Sequence, residues 1–280
     1  MRCCLGGRAL DPILVGELSL FPTFRDIRVV RSETNIPAHP RDLSSDAIAV
    51  FARTPTPGRT KTRLIPLLGP RGAAELQASL IRDTLSKVTA LHGQFSRFLF
   101  VTGKRSSILS TDALGTSMRR KRYAKHPHLA GIAVLRQRGE DLAERLEGAF
   151  RALMRQHSRV VVIGTDSPML RPRYLRLAFH ELRVCDAVLG PCPDGGYYLI
   201  GLRRFTRGLF RDIRWGGSSA FQDTTRNILQ QDLSCSILPP IEDIDRPQDL
   251  ERLATELTRN QSARRLAPAT WKFLRSRHCA

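Results

Sequence analysis

Short apolar runs, each of the length expected for a buried strand, recur along the chain from residue 46 onward. They cover residues 47–51, 98–101, 131–135, 160–163 and 187–189. Such runs are typical of strands whose two faces are both covered by other elements. None of the apolar runs approaches the roughly 18 residues that a membrane-spanning helix requires. The sequence therefore predicts a buried sheet and no membrane span.

Two longer segments between these runs repeat apolar residues at helical spacing. Residues 73–91 carry Leu76 and Leu80 on one face, and residues 141–156 carry Leu146 on theirs. These are amphipathic helices of the kind that cover a sheet. Strands alternating with helices predict an α/β fold with a mainly parallel sheet, in which ligands bind beyond the carboxyl ends of the strands.

The pattern divides the chain into three parts. Residues 1–45 show no sustained period and end in a turn-rich stretch, so we expect a poorly ordered N-terminal extension. Residues 46–257 are predicted to form one catalytic domain. Residues 258–280 are predicted to be a basic C-terminal tail with a frayed end. From Arg259 onward, and counting it, the chain has six Lys or Arg residues and no acid.

The chain is strongly basic, with 45 Lys and Arg against 26 Asp and Glu and a net charge of +19. Its field attracts phosphates and nucleic acid alike. The densest basic run, Arg119–Lys125, contains only Tyr123 to stack on a base, and aromatic residues make up 6% of the chain. We therefore expect a solvated loop there, and no specific nucleic-acid site. The six cysteines include no CxxC pair, which favours reduced thiols and a cytoplasmic location.

A basic loop follows the first predicted strand. It contains Arg53, Arg59, Lys61 and Arg63, and Gly58 allows the chain to turn closely. Arginine can bind phosphate oxygens with two hydrogen bonds, and lysine supplies a mobile point charge. The loop lacks the glycine spacing of a Walker motif. We interpret it as a nucleotide-phosphate site, the alternative being an exposed basic loop.

Asp166 follows the strand at 160–163 and is predicted to hold Mg²⁺ or Mn²⁺ together with substrate phosphates. The alternative is that it caps the helix that begins near Arg171. Asp245 is expected mainly to cap a helix with Pro247 in its first turn. A metal-binding role for Asp243 or Asp245 is the second possibility.

The segment Asp194-Gly195-Gly196 separates two apolar runs, which is typical of a β-hairpin. Asp194 either shapes this turn or contacts a sugar or a metal ion, and Tyr197 either lines the same site or packs on the sheet. Further along, Trp215 and two glycines precede a polar helix at residues 218–231. They either line an acceptor pocket or end a loop.

Five segments together resemble a bacterial family. AVFARTPTPGRTKTRL, QRGEDLAERL, VVVIGTDSP, LGPCPDGGYYLIGL and IEDIDRPQDL, in this order, are similar to radical-SAM/selenodomain-associated transferases of glycosyltransferase A type. The resemblance extends over residues 46–257. It implies a Rossmann-like, three-layer α/β/α nucleotide-diphospho-sugar transferase fold with a mixed, mainly parallel sheet. It also implies a nucleotide site in the first half and an acceptor site in the second.

The resemblance also implies roles for individual residues. Arg59, Lys61 and Arg63 match the family's phosphate-side motif, Asp166 its metal-binding position, and Asp194 its second signature. Two departures affect the acceptor side: Trp215-Gly216-Gly217 stands where the family usually has Trp-Ser-Thr, and Ser167 where it has cysteine or a similar residue. The predicted site comprises catalytic Asp166 and Asp194; phosphate-binding Arg53, Gly58, Arg59, Lys61 and Arg63; acceptor-side Gly195, Gly196, Tyr197 and Trp215; and a metal on Asp166, with Asp194 or Asp245 as a further ligand.

The expected function is metal-dependent glycosyl transfer from a nucleotide sugar to a small-molecule acceptor, with Mg²⁺ or Mn²⁺. The first alternative is a nucleotidyltransferase that joins a nucleoside triphosphate to a phosphorylated acceptor. The alternative from another class is a basic nucleic-acid-binding protein or a catalytically inactive protein that binds a partner.

Overall fold

The computed structural model describes residues 27–30, 46–93, 95–102 and 131–277. Within these ranges eight strands form one sheet. The strands are β1 (Ile27–Val29), β2 (Asp46–Ala52), β3 (Phe95–Val101), β4 (Ile132–Arg136), β5 (Arg159–Ile163), β6 (Ala187–Pro191), β7 (Tyr197–Leu202) and β8 (Cys235–Ile237).

The described helices lie between and after these strands. A short 3₁₀ helix, Thr62–Leu64, leads into the first of them. The helices are α1 (Ile65–Thr89), α2 (Leu142–Leu153), α3 (Pro172–Glu181), α4 (Ala220–Gln230), α5 (Pro247–Arg259), α6 (Gln261–Leu266) and α7 (Pro268–Ser276). None of the helices in the described ranges combines the length and apolar character needed to cross a membrane.

The strands follow the order β1-β8-β6-β7-β5-β2-β3-β4 across the sheet. Strand β7 runs antiparallel to both of its neighbours, β5 and β6, and every other described pair is parallel. This confirms the mixed, mainly parallel sheet. The hairpin predicted around the Asp194 turn is the β6–β7 pair.

Alternating side chains of the central strands pack against helices on opposite faces of the sheet. Ile48 and Val50 of β2 belong to a core that includes residues of α1 and α3. Ala47 and Ala49 point to the other face, where residues of α2 and α4 complete a second core. Because side chains alternate along a strand, one apolar run supplies both cores. The predicted three-layer α/β/α arrangement is confirmed.

Helix α1 begins earlier than the predicted residue 73. Its first turn starts at Ile65 and is separated from the rest of the helix by Gly69, whose φ of 69° and ψ of 166° are not helical. Pro70 follows immediately and suits the start of a helix because it needs no amide hydrogen bond there. The apolar face predicted for residues 73–91 is the buried face of the second part.

The basic C-terminal segment is ordered, contrary to the expected frayed end. Helices α5, α6 and α7 form a third apolar cluster with α1, in which Phe273 and Leu274 are buried. Asp83 of α1 accepts hydrogen bonds from the amides of Ala269 and Thr270 at the start of α7, at 2.8 and 2.9 Å. Burial of these apolar side chains stabilises the helices. The surrounding arginines do not oppose it, because they lie along exposed faces and stay hydrated.

Part of the N-terminal extension also joins the fold. Residues 27–29 form β1, which pairs in parallel with β8 at the edge of the sheet. The expectation of poor order is therefore wrong for this segment, because backbone pairing with β8 stabilises a strand too short to show a pattern. The remaining residues of the extension, 1–26 and 31–45, lie outside the described residues, as does the basic run at 119–125.

Candidate active site at the carboxyl edge of the sheet

Four loops meet at one edge of the sheet, where β2, β5, β6 and β8 end. The loops after β5 and β8 are joined because the amide of Ile244 donates to the carbonyl of Asp166 at 2.9 Å. The loops after β6 and β8 are joined by the amide of Ile241 and the carbonyl of Pro191 at 3.1 Å. This edge is the location that the fold predicts for a ligand.

The basic loop after β2 is held by its own threonines. Thr60 donates from its hydroxyl to the carbonyl of Thr54 at 2.9 Å and accepts from the amide of Thr56 at 3.1 Å. Gly58 has a φ of 77°, a left-handed conformation that suits glycine at the tip of the turn. The loop therefore presents its later residues from a fixed backbone.

Lys61 lies buried at the centre of the site. Its ammonium group donates to the carbonyl of Ile244 at 2.6 Å and lies 2.9 Å from Oδ1 of both Asp166 and Asp245. Burial alone would lower the pKa of Lys61, but the two carboxylates outweigh it and raise the pKa. The expectation of a mobile point charge is wrong, because Lys61 has a partner for each of its three N–H bonds.

Asp166 is positioned by a short hydrogen-bond chain from α1. Gln77 donates to the hydroxyl of Thr165 at 2.9 Å, and that hydroxyl lies 3.3 Å from Oδ1 of Asp166. The side chain of Asp166 remains 44% exposed. The capping alternative is contradicted, because α3 has Arg171 at its N-cap position, without a side-chain cap.

Asp245 also does not act as the predicted helix cap. Asp249 takes that part, accepting from the amides of Asp245 at 3.0 Å and Arg246 at 2.7 Å. Burial tends to raise the pKa of Asp245, but Lys61 and neighbouring arginines lower it, so its carboxylate is held in the charged form. Asp166 and Asp245 are thus two carboxylates that share one buried cation.

Asp194 shapes the hairpin turn, as one of its two alternatives predicted, and also lies on the wall of the site. Its Oδ1 accepts from the amide of Gly196 at 2.9 Å, which shapes the hairpin turn. Gly195 has a φ of 87°, and a Cβ there would collide with the carbonyl of Ser218. The turn therefore packs closely on the segment after Trp215, and the Asp194 carboxylate still faces the open space of the site.

Cys192, Asp194 and Asp243 form a second group of potential ligands. One ligand atom from each lies within 4.8 Å of the others. Burial, together with Asp243 and Asp194, raises the pKa of the Cys192 thiol. Burial and the charges of Asp194 and Asp245 raise the pKa of Asp243 to about 7. No local sequence pattern marks Cys192 as a ligand, because only the fold brings it beside the two carboxylates.

Trp215 is held at the mouth of the site from two sides. Its ring meets that of Tyr197 edge-on, with centroids 6.0 Å apart. The preceding residue, Arg214, binds both carboxylate oxygens of the buried Asp223 at 2.9 Å. The pKa of Asp223 is lowered to about 2 by these hydrogen bonds. The aromatic pair is therefore anchored to α4.

A cavity of about 440 Å³ lies among these groups. Most of the predicted site residues line it, but Gly58, Arg59 and Gly195 do not. The predicted residues on its wall are Arg53, Lys61, Arg63, Asp166, Asp194, Gly196, Tyr197, Trp215 and Asp245. Gly216 and Gly217 also lie on this wall, which favours the pocket-lining alternative for the two glycines after Trp215. The wall further contains Thr60, Gln77 and Leu142, which the sequence did not assign to the site.

A second cavity, of about 520 Å³, adjoins the first on the side of β8. The two cavities share Arg63, Asp194, Gly216, Gly217 and Asp245 on their walls. Asp243 and Asp249 line only the second one. The site thus has two compartments that meet at Asp194 and Asp245.

Comparison with families agrees in part with the sequence motifs. A profile of the family described as "Uncharacterized protein conserved in bacteria (DUF2064)" matches residues 91–217. No curated protein matches the chain. The profile includes the strand-end segment with Asp166 and the turn with Asp194, but not the basic loop after β2.

Two solved structures are similar over most of the chain. One is a protein of Desulfovibrio desulfuricans G20 whose assignment as a nucleotide-diphospho-sugar transferase is itself provisional. It is 29% identical, with a TM-score of 0.69, covering 84% of this chain and 96% of its own. The other, a cytidylyltransferase from Leptospira borgpetersenii serovar Hardjo-bovis, is 14% identical with a TM-score of 0.51, covering 84% and 95%.

The second likeness concerns the fold alone, because the identity is low. The first extends to sequence and to nearly the whole of both chains. The first likeness supports an enzyme of the transferase class. The chain has the glycosyltransferase A-like fold of nucleotide-diphospho-sugar transferases.

Proposed function

We propose that this protein catalyses metal-dependent transfer of a glycosyl group from a nucleotide sugar to a small-molecule acceptor. One observation carries the proposal: Asp166 and Asp245 both lie 2.9 Å from the ammonium group of Lys61, at the carboxyl edge of the sheet. Arg53 and Arg63 line the same cavity. The finer resemblance to selenodomain-associated transferases and the cytoplasmic location stay predictions.

The available cations favour a diphosphate donor. Of the four basic residues in the loop after β2, Arg59 does not line the cavity and Lys61 is engaged by carboxylates. Arg53 and Arg63 both line the cavity, with Arg63 at 3.7 Å from Asp245, and arginine can bind phosphate oxygens with two parallel hydrogen bonds. Two such groups suit the diphosphate of a nucleotide sugar and would stabilise the charge that develops as it leaves.

The carboxylates of the first cavity fit a divalent metal ion. Asp166 and Asp245 supply hard oxygen ligands, and their side chains are 44% and 37% exposed. Mg²⁺ usually takes one or two carboxylates together with substrate phosphates, and Mn²⁺ accepts the same ligands. Lys61 between them indicates that this position stabilises positive charge. Such an ion, when bound, would neutralise charge on the donor diphosphate.

Asp194 is the residue that we assign to the acceptor, because its carboxylate lines both cavities. In the proposed reaction the acceptor oxygen forms a bond to the anomeric carbon of the sugar. The bond from that carbon to the phosphate oxygen breaks, and the nucleoside diphosphate leaves with the electron pair. The acceptor proton passes to Asp194, which acts as the general base.

A turnover assay distinguishes this reaction from nucleotidyl transfer. The purified protein is incubated with Mg²⁺, a panel of acceptors, and either nucleotide sugars or nucleoside triphosphates. We expect release of a nucleoside diphosphate from one nucleotide sugar. Release of pyrophosphate from a triphosphate would instead identify a nucleotidyltransferase, and turnover of neither donor class would contradict both assignments.

The matched variants for this assay are Asp166→Asn and Asp194→Asn, with Asp232→Asn as the control. Asp232 is exposed, lines neither cavity, and has a φ of 53°, which asparagine tolerates. We expect each site variant to lower kcat/KM by about 100-fold or more, the usual range for losing a group that stabilises developing charge or moves a proton. The control should retain wild-type turnover.

A further inference from the structure

The second cavity adjoins the first and is continuous with it. The two share five wall residues, and Asp194 and Asp245 stand at the boundary between them. At about 520 Å³ the second cavity is large enough for a sugar-sized molecule. A group carried on a donor in the first cavity can therefore meet a molecule in the second.

The wall of the second cavity carries more acid than base. Its carboxylates are Asp194, Glu242, Asp243, Asp245 and Asp249, and its cations are Arg63, Arg246 and Arg252. Arg252 is already engaged by Asp249 at 2.8 Å and by Glu242 at 3.3 Å. Arg63 faces Asp245 at 3.7 Å. The remaining titratable groups of this wall are two acids, Asp194 and Asp243, and one base, Arg246, so the wall keeps an excess of acid.

We propose that the second cavity is the acceptor subsite, and that it takes an acceptor presenting hydroxyl or amino groups and no phosphate. This inference rests on the proposed transferase function and adds the chemical class of its acceptor. Carboxylates accept hydrogen bonds from hydroxyl and ammonium groups, which are the donors that such a wall can satisfy. The excess of acid on the same wall disfavours a phosphomonoester.

Gly217 offers a way to close the acceptor subsite. It lines both cavities, its φ is not left-handed, and the nearest heavy atom to an added Cβ is the carbonyl oxygen of Arg214 at 3.7 Å. A larger residue is therefore compatible with the backbone. Gly148 is the matched control, because its added Cβ also has one neighbour at 3.7 Å and it lies on the exposed face of α2.

The first experiment compares Gly217→Val with Gly148→Val. Binding of the nucleotide is followed by thermal stability, and transfer by release of the nucleoside diphosphate. Because Gly217 also lines the first cavity, the acceptor kinetics are measured at a donor concentration that saturates each variant. Under this condition we expect Gly217→Val to lose at least tenfold in kcat/KM for the acceptor and Gly148→Val to lose nothing. Unchanged acceptor kinetics in Gly217→Val would overturn the assignment of the second cavity.

The second experiment tests the acceptor class with matched pairs. Ligand-observed NMR is recorded for glycerol and glycerol 3-phosphate, glucose and glucose 6-phosphate, and glucosamine and glucosamine 6-phosphate. Each pair competes in one sample that contains the wild-type protein, Mg²⁺ and the nucleoside diphosphate that raises its Tm. We expect the unphosphorylated member to bind at least tenfold more tightly, and Gly217→Val to abolish its signal.

Preference for the phosphorylated member, or absence of any unphosphorylated binder that Gly217→Val displaces, would overturn the proposal. The transferase function and the acceptor class can fail separately. If no nucleotide raises the Tm, the proposed transferase function fails. If a nucleotide raises the Tm and the phosphorylated acceptor is preferred, only the acceptor class is wrong.

Discussion

Single residues decide the electrostatics of this site, and Lys61 is the clearest example. Its ammonium group joins Asp166 and Asp245, which are far apart in the chain and would otherwise repel each other. The lysine therefore holds the two carboxylates close together, where both can act as ligands of the proposed metal ion. It does so from a left-handed backbone conformation, with a φ of 50°, at the end of the threonine-braced loop.

Replacing Lys61 tests this arrangement. In Lys61→Met the two carboxylates lose their common cation, and we expect the free energy of unfolding to fall by about 1–2 kcal/mol, below the range for fully buried pairs because both acids are part-exposed. Added Mg²⁺ should raise the Tm of the variant more than that of the wild type. The exposed Lys272→Met is the control. An equal Mg²⁺ response in all three proteins would contradict the shared-cation account.

Asp223 provides a pH-dependent test of the anchor beneath Trp215. Its pKa is lowered to about 2 by hydrogen bonds from Arg214, against an unfolded value near 3.9. A depressed carboxyl pKa adds stability above the unfolded value, and that stability is lost as the pH falls toward 2. Urea unfolding at several pH values should show a smaller loss between pH 4 and pH 2 in Asp223→Asn. A wild-type slope in that variant would refute the anchor.

The sequence identified most residues of the site but not their partners. Asp166, Asp194 and the arginines were recognisable because they follow strand ends or lie in one motif. The contact between Lys61 and Asp245 joins residues 184 positions apart, so no local pattern reports it. The same reason applies to Cys192 and Asp243, which only the topology brings together.

At the scale of elements, the C-terminal helices α6 and α7 extend the fold beyond the predicted domain, which ended at residue 257. Helix α7 begins against α1, where Asp83 accepts from two amides and from the hydroxyl of Thr270 at 2.7 Å. The basic C-terminal segment is thereby fixed to the helix that also carries Gln77. The stability of these C-terminal helices and the position of Asp166 are therefore linked, because α1 contacts both.

Asp83→Ala is expected to loosen α7. Removal of a capping carboxylate costs about 1–2 kcal/mol, and the loss of an acceptor for the two buried donors of Thr270 adds to this cost. Limited proteolysis should therefore cut the variant near residue 268 faster than the wild type. Asp83→Asn keeps one acceptor oxygen and should lie between the two. Identical cleavage rates in Asp83→Ala and the wild type would show that α7 does not depend on this contact.

Long and strongly patterned elements were predictable, and short ones were not. Strands β2 to β6 and helix α2 follow from apolar runs or helical spacing within a few residues of their true ends, whereas α1 begins eight residues before the predicted start. Strands β1 and β8 have three residues each, too few for a period, and their pairing is set by neighbouring strands. In α7 the arginines obscured the two apolar side chains, Phe273 and Leu274, that bury it.

For the whole molecule, the net charge of +19 contrasts with a nearly neutral site. The first cavity is lined by three cations and three carboxylates, so most of the basic excess lies elsewhere. Such a field raises the encounter rate with an anionic nucleotide, and salt screens it. The proposed function therefore depends on charge in two ways. The net positive surface attracts the nucleotide donor over long distances, and the charged groups of the cavity orient it.

Salt dependence tests the longer-range part. We expect kcat/KM for the nucleotide donor to fall several-fold between about 50 and 500 mM NaCl, because screening weakens attraction beyond a few ångströms. The value of kcat at saturating donor should change less than twofold. A fall confined to kcat would indicate that salt acts on the site itself, contrary to this account.

The measurement that tests the central claim most directly is thermal stability against nucleoside triphosphates and nucleotide sugars, each with Mg²⁺, Mn²⁺ or EDTA. A ligand of the native state raises the Tm. We predict that one nucleotide sugar raises it with metal, that EDTA removes the shift, and that Asp166→Asn and Asp245→Asn abolish it while Asp232→Asn does not. A panel in which no nucleotide shifts the Tm under any metal condition would contradict the assignment as a nucleotide-dependent transferase.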